Sequence, residues 1–353
     1  MRTAVGIPPN ALRCQMAEPA PRRNLQRVLA ACSGGDAAII VRSVQAMGLE
    51  VVAAFDEVSA EAPWVERADW EAPLIARDAD DDPWADPQRL VSAALDAGAD
   101  ALHPGAGKIA ASGALARLTI ASGLGWLGVQ PELLEEWTTL VPEAAANVGM
   151  ALSCADAGET VRVGVLGDGV QAILLGQQRI LTAGLAEVSA CVDPLARAAI
   201  SLTSALRLCG LASFDLSVDP GGRVVLRGAQ PSLSGWFMFD AALGADLVAA
   251  QVQIATGELL RWDSERPAVR PTVAAVVRTL SDCDWSDTLD DIDGATLLVG
   301  PGPVGRAIPV LLLSRTAPTL LAARVQLGEA LRTYGLPHTN ASALRARLFG
   351  DAP

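Results

Sequence analysis

Residues 100–113 read "DALHPGAGKIAASG". An apolar strand, Asp100 to Leu102, runs into His103-Pro104-Gly105, a second glycine at Gly107, then Lys108 and a helix from Ala110 to Ser122. A glycine-rich turn between strand and helix presents backbone N–H groups to an anion, so it is a natural phosphate cradle. The same pattern occurs upstream. The strand Arg27 to Cys32 ends at Ser33-Gly34-Gly35, and Asp36 caps a helix through Met47 with Ile40 and Val44 on one face. Gly48 stops that helix, and Leu49 to Phe55 is the next strand. A further strand follows at Gly125 to Val129. This alternation predicts a parallel sheet with right-handed crossovers, whose ligands sit beyond the carboxyl ends of the strands. Both glycine turns fall there.

The chain has 353 residues, 51% of them apolar, enough for two or three domains. No apolar run approaches the ~18 residues of a membrane span, and residues 1–26, rich in Pro, Arg and Ala, read as a mobile arm rather than a secretory signal. A net charge of −13 argues against nucleic acid and anionic membranes. Six cysteines without a CxxC spacing suggest a reduced, cytoplasmic protein. The two histidines, His103 and His338, are too few for a His-rich metal site. Of 27 basic residues only Lys108 is lysine, so any chemistry that needs a lysine has one candidate.

The middle of the chain changes character. Residues 159–184 read as antiparallel strands turning at Asp168-Gly169, followed by a helix over 193–209. "ASFDLSVDPGGRVVLRG" (212–228) is a second hairpin, turning at Asp219 to Gly222. "AQPSLSGWFMF" (229–239) reads as an irregular loop before a helix over 240–256. Strands near 273–280, 295–299 and 308–313 and helices over 318–334 and 341–349 complete the order, with a polar linker over 281–294.

In this order the landmarks resemble the biotin carboxylase component of acyl-CoA, propionyl-CoA and pyruvate carboxylases, an ATP-grasp family. The opening stretch is similar to the family's Asp-Ala-Ile-His-Pro-Gly-Tyr-Gly turn. "VRVGVLGDG" (161–169), "FDLSVDPGGRVVL" (214–226) and "GADLVAAQVQIATGELL" (244–260) resemble its central strands and following helix. The resemblance spans about Arg27 to Phe349. It implies an α/β fold: an N-terminal-like domain over 27–140, a short connection over 141–160, a truncated ATP-grasp core over 161–265 and a C-terminal-like domain over 266–353.

The departures bear on function. Residues 141–160 replace the family's lid over ATP, and they hold neither lysine nor a glycine run. In an ungapped match Arg227 stands at a metal-binding glutamate, Ala229 at the asparagine and Gly235 at the catalytic glutamate. Only Asp215 fits a family metal ligand, and one carboxylate cannot hold two magnesium ions on a triphosphate. The sequence therefore calls for no metal and no cofactor, and a working ATP-dependent carboxylase is not expected.

Two readings remain. In the first the chain is a pseudoenzyme, a binding, scaffold or regulatory subunit, either a homodimer or joined to a carboxylase-type partner. In the second it is an ATP-independent enzyme, of the kind met in secondary metabolism, that cyclises, isomerises or decarboxylates an apolar, polyketide-like small molecule in the vacated cleft. Asp215, Gln230, Ser232 and Ser234 are the polar candidates for catalysis. His103, Lys108, Trp236, Phe237 and Phe239 are candidates to line a pocket or face a partner. Each has a plainer role: His103 bracing its turn, Lys108 in solvent, Asp215 paired with an arginine, and the run 236–239 filling the core.

Overall fold

The computed structural model describes residues 25–78, 80–152, 158–258, 268–278, 295–301, 307–333 and 339–349. The arm up to residue 24, the linker over 281–294 and His338 lie outside them.

The first domain is built on β1 (Arg27–Ala30), β2 (Glu50–Phe55), β3 (Trp70–Pro73), β4 (Ala101–His103) and β5 (Gly125–Trp126), in the spatial order β3-β2-β1-β4-β5 and parallel throughout. Alternate residues of β1 and β2 face opposite layers, which is why both strands are apolar on both faces. Val28, Ala30, Val51 and Ala53 pack towards Ile40 and Val44 of α1 (Gly34–Ala46). Leu29, Val52 and Leu102 pack towards Leu90 of α3 (Pro87–Asp96) and Leu115 of α4 (Gly113–Ala121), on the other side. A short α2 (Pro63–Glu66) precedes β3, and α5 (Pro131–Glu135) and α6 (Trp137–Asn147) close the domain. The helix starts differ from expectation. Ser33, not Asp36, is the residue before α1, and Asp36 lies in its first turn. Residues 107–111 form turns, and α4 begins only at Gly113, capped by Ser112, whose hydroxyl accepts from the Leu115 N–H.

Chain order reverses between β1 and β4, so the turns after these two strands lie side by side. They are in contact. Gly105 has φ +66°, and a Cβ built there would come 2.4 Å from the Cys32 Cβ. Only glycine fits such an approach in that conformation.

The second sheet has nine strands in the order β13-β14-β12-β9-β8-β7-β10-β11-β6. Its centre is β7 (Val161–Asp168), β8 (Ala172–Thr182), β9 (Leu185–Ser189), β10 (Cys209–Val218) and β11 (Val224–Gln230), all antiparallel neighbours, with β6 (Ala151–Leu152) on one edge. The other edge is β12 (Thr272–Arg278), β14 (Ala307–Thr316) and β13 (Ala295–Pro301). Both expected hairpins form. β9 was not anticipated, because the turn at Gly184 returns the chain after two residues into only five more residues of strand. α7 (Asp193–Ala205) covers one face of β7 and β10 through Leu195, Ala199 and Leu202 against Val163, Val165 and Phe214.

The opposite face is covered by α8 (Trp236–Leu243) and α9 (Leu247–Ala255), which meet at a bend of 98°. The stretch 229–239 is thus not a loop throughout. Gln230 ends β11, residues 231–235 turn, and Trp236 to Phe239 are the first turn of α8, entered through left-handed Gly235. α10 (Leu320–Thr333) and α11 (Ala341–Leu348) cover β12 and β14 through Leu327, Leu331 and Leu344. Among the described residues no single helix is long and apolar enough to cross a membrane. Between α6 and β7 the described residues contain only β6, with no further sheet or helix.

Candidate functional site

The face of β7 and β10 that looks towards α8 continues into the two glycine turns. Strand pairing sets Asp215 opposite Arg162 and Ser213 opposite Gly164. These residues alternate with Phe214 and Val163, which point into the α7 layer, so a polar row is forced onto the α8 side.

Asp215 is engaged on both oxygens. Arg162 donates from Nε to Oδ1 at 2.8 Å and from Nη2 to Oδ2 at 3.1 Å. Gly228 lies beneath, where a Cβ would be 3.3 Å from Oδ2. Arg227 donates from Nε to the Ser217 hydroxyl at 2.9 Å. A carboxylate bridged by one guanidinium, on the same hairpin as another, does not fit a divalent cation, which needs several unshared oxygen donors. Among the described residues no group of three or more His, Cys, Asp or Glu could hold a metal.

His103 is fully buried at the end of β4. Its Nδ1 accepts the Gly105 N–H at 3.1 Å, so Nε2 carries the proton and donates to Gln251 Oε1 at 3.2 Å. Gln251 in turn donates to the Leu127 carbonyl at 3.2 Å. Burial lowers the His103 pKa to about 4, against the smaller upward pull of Gln251. The ring is neutral at pH 7 and both nitrogens are occupied. Trp236 meets it edge-on, with centroids 5.3 Å apart and planes at 69°.

Two of the turn's amides are likewise taken. The Gly105 N–H is held by His103, and the Gly107 N–H reaches the Ser232 hydroxyl at 3.3 Å. Ser232 is buried, and its carbonyl accepts from the Ser213 hydroxyl at 2.9 Å. The loop over 231–235 is thereby tied both to the sheet and to the glycine turn. Ser234 and Gln230 are half-buried, and Lys108 is exposed.

The bulky run is divided by its helix. Trp236, Met238 and Phe239 are core residues, at 1%, 2% and 0% exposure. Phe239 lies on Gly164, where a Cβ would come 2.9 Å from its ring. Gln178 Nε2 is 3.4 Å from the Met238 sulfur. Phe237 is half-buried and packs towards Ala38 and Leu312. Trp236 and Phe239 therefore offer no surface to a partner in this conformation, and the space over the sheet holds their rings.

Three residues that the sequence did not mark as site candidates complete the region. Gln251, 148 positions from His103, has no local signal beyond its place in the apolar series of α9. Asp36, beside Gly105, is half-buried, and burial raises its pKa to about 6. Cys32 is buried, and desolvation, with the Asp36 charge second, holds its thiol well above the ordinary range. A protonated thiol is a poor nucleophile, and a neutral histidine with both nitrogens bonded is a poor base. Of the other described cysteines, Cys191 is a free thiol whose pKa burial pushes to about 11, and the Cys209 thiol donates to the Arg207 carbonyl.

Residues 24–134 match the family model for the biotin carboxylase N-terminal domain. Over 110 residues the chain is 31% identical to a biotin carboxylase of Halalkalibacterium halodurans, covering 31% of this chain and 24% of that protein. Over 112 residues it is 34% identical to a biotin-dependent acyl-coenzyme A carboxylase alpha3 subunit of Mycobacterium leprae, covering 32% of this chain and 19% of that one. The matched stretch thus spans less than a quarter of each of these relatives. Among solved structures, the biotin carboxylase domain of a single-chain bacterial carboxylase superposes with a TM-score of 0.76 at 22% identity, covering 92% of this chain and 93% of that one. The Kluyveromyces lactis urea carboxylase also gives 0.76, at 18% identity, covering 92% of this chain and 31% of that one.

Proposed function

The chain being a biotin carboxylase-like protein, matched in sequence over its first domain and in fold over most of its length, we propose that it is a non-catalytic member of that group: a binding, scaffold or regulatory subunit of a carboxylase-type assembly. The observation that carries this reading is Asp215, bridged by Arg162 on a sheet face that the rings of α8 fill. A triphosphate needs its charge neutralised and its oxygens positioned. Here the Gly105 and Gly107 amides are bonded internally, and the carboxylate that could share a magnesium ion is paired with an arginine.

In the first domain, which carries the sequence match, the turn after β4 is braced internally by the hydrogen bond from the Gly105 N–H to His103. Two of the relatives are subunits, a biotin-dependent acyl-coenzyme A carboxylase alpha3 subunit and a 2-oxoglutarate carboxylase small subunit. The partner proposed for this chain is accordingly a carboxylase chain or a second copy of itself. Calorimetry with millimolar ATP and magnesium should show no saturable heat, and a tagged chain should co-purify with a carboxylase subunit or scatter light as a dimer. Saturable, magnesium-dependent ATP binding would overturn the proposal, as would a monomer that retains no such partner.

A further inference from the structure

On the far side of the second sheet lies a recess of about 380 Å³, lined by Leu181, Leu321, Arg324, Arg347, Leu348 and Phe349. It lies between the end of β8, the first turn of α10 and the end of α11. We propose that it is a binding site for a small amphipathic carboxylate, an apolar chain with one anionic head.

The apolar half of the site is built and open. Leu321 is 68% exposed and Phe349 46%, an unusual cost for two large side chains on one recess. Phe349 is seated rather than loose. Gly328 of α10 lies under its ring, where a Cβ would come 2.8 Å from it. The volume is at the lower end of the roughly 300–1,000 Å³ typical of small-molecule pockets, which suits a medium-length chain.

The polar half is cationic in a chain whose net charge is −13. α10 and α11 carry Arg324, Arg332, Arg345 and Arg347 against one carboxylate, Glu329. In the recess, Arg324 donates from Nε to Glu187 Oε1, and Glu187 is itself buried on β9. Glu187 Oε2 has no hydrogen-bond partner, so the pair is arranged to fix the guanidinium rather than to exhaust the carboxylate. Arg179 beside it is paired with Glu159, at 2.5 Å. These charges cancel in pairs. The surplus is Arg347, which donates from Nη1 to the Thr182 hydroxyl at 3.0 Å and has no carboxylate partner among the described residues. A guanidinium presents parallel donors that match a carboxylate, and its own hydroxyl contact uses one of five. The recess therefore pairs an oriented cation with an apolar wall, and sodium octanoate is the simplest probe that uses both.

The experiment titrates the full chain with octanoate, 1-octanol and acetate by calorimetry, and repeats the octanoate titration with Arg347→Gln and Leu321→Gln. Both positions are exposed, so the variants should melt as the parent does. Octanoate should saturate, with octanol and acetate each weaker by at least about tenfold. Arg347→Gln should weaken octanoate by roughly ten- to hundredfold, the loss of one charge-assisted contact, and Leu321→Gln by severalfold. No saturation below about 10 mM, a Kd unaffected by Arg347→Gln, or octanol binding as tightly as octanoate would each overturn the proposal. So would self-association that disappears in Leu321→Gln while octanoate is inert, which would give the recess to a second copy.

Discussion

Replacing Trp236 separates a core role from a docking role, because the two have opposite consequences. The side chain is 1% exposed, meets His103 edge-on and sits in the layer between α1, α8 and the sheet. Trp236→Ala removes the whole indole from a packed interior, which costs roughly 3–5 kcal/mol. With a urea m-value of about 3 kcal/mol/M for a chain of this size, the midpoint should fall by about 1 M or somewhat more. Trp236→Phe tests the reasoning more sharply. The indole Nε1 is buried without a hydrogen-bond partner, so the tryptophan already carries the cost of an unmade bond, about 1–3 kcal/mol. Phenylalanine removes that donor and keeps an aromatic edge for His103, while losing roughly 1–2 kcal/mol of packing. The two terms offset, and Trp236→Phe should lie within about 1 kcal/mol of the parent. Urea denaturation followed by far-UV circular dichroism reads both variants. If Trp236→Ala costs less than about 1 kcal/mol, or Trp236→Phe costs as much as Trp236→Ala, the ring is not the packed core element described here.

Asp240 supplies a pH test. Burial raises its pKa to about 7, against the Leu247 N–H that bonds its Oδ1 at 3.0 Å and with Asp246 adding to the rise. A carboxyl group raised on folding contributes stability that is fully present below its unfolded value near 3.8 and is lost as pH climbs through about 7. His103, lowered to about 4, works in the opposite direction, its contribution lost as pH falls from 6.5 towards 4, so the test is a difference between variants. Asp240→Asn, whose amide oxygen can still accept from Leu247, should be more stable than the parent at pH 8. Its advantage should shrink steadily towards pH 4, and an advantage independent of pH would refute the assignment. Gly105→Ala should cost roughly 2–4 kcal/mol, from a left-handed backbone and a Cβ driven into Cys32, and thermal melting at neutral pH would expose a harmless substitution as a contradiction.

The first domain was legible because its signals are local. Glycines after β1 and β4, apolar strands and interposed helical periods each need only a few residues to be read, and together they leave one topology. α8 was not legible for a physical reason. It opens at a left-handed glycine without a capping side chain, and its first turn is apolar on every side because the sheet, α1 and β14 surround it. A run such as Trp236 to Phe239 therefore shows no period to read. The contacts of the candidate site were hidden for another reason. Arg162 meets Asp215 only through the register of β7 on β10, and Gln251 meets His103 only when α9 crosses the end of the first sheet.

The glycine turn at residues 103–107 can now be judged as chemistry. A phosphate cradle works by leaving backbone donors unpaired until an anion arrives. In this chain the Gly105 donor is fixed to a histidine that must be neutral to accept it, and the Gly107 donor is fixed to a serine that the second sheet holds. Gly105 is further pressed on Cys32, beside a half-buried Asp36 whose charge would repel an anion whenever it ionises. To bind a phosphate the turn would have to break two internal hydrogen bonds and seat a charge next to a carboxylate. The same features make the turn an effective brace. It ties β4 to α9 through His103 and Gln251, to β1 through Cys32, and to the loop before α8 through Ser232. A motif suited to holding a ligand instead holds the two sheets together.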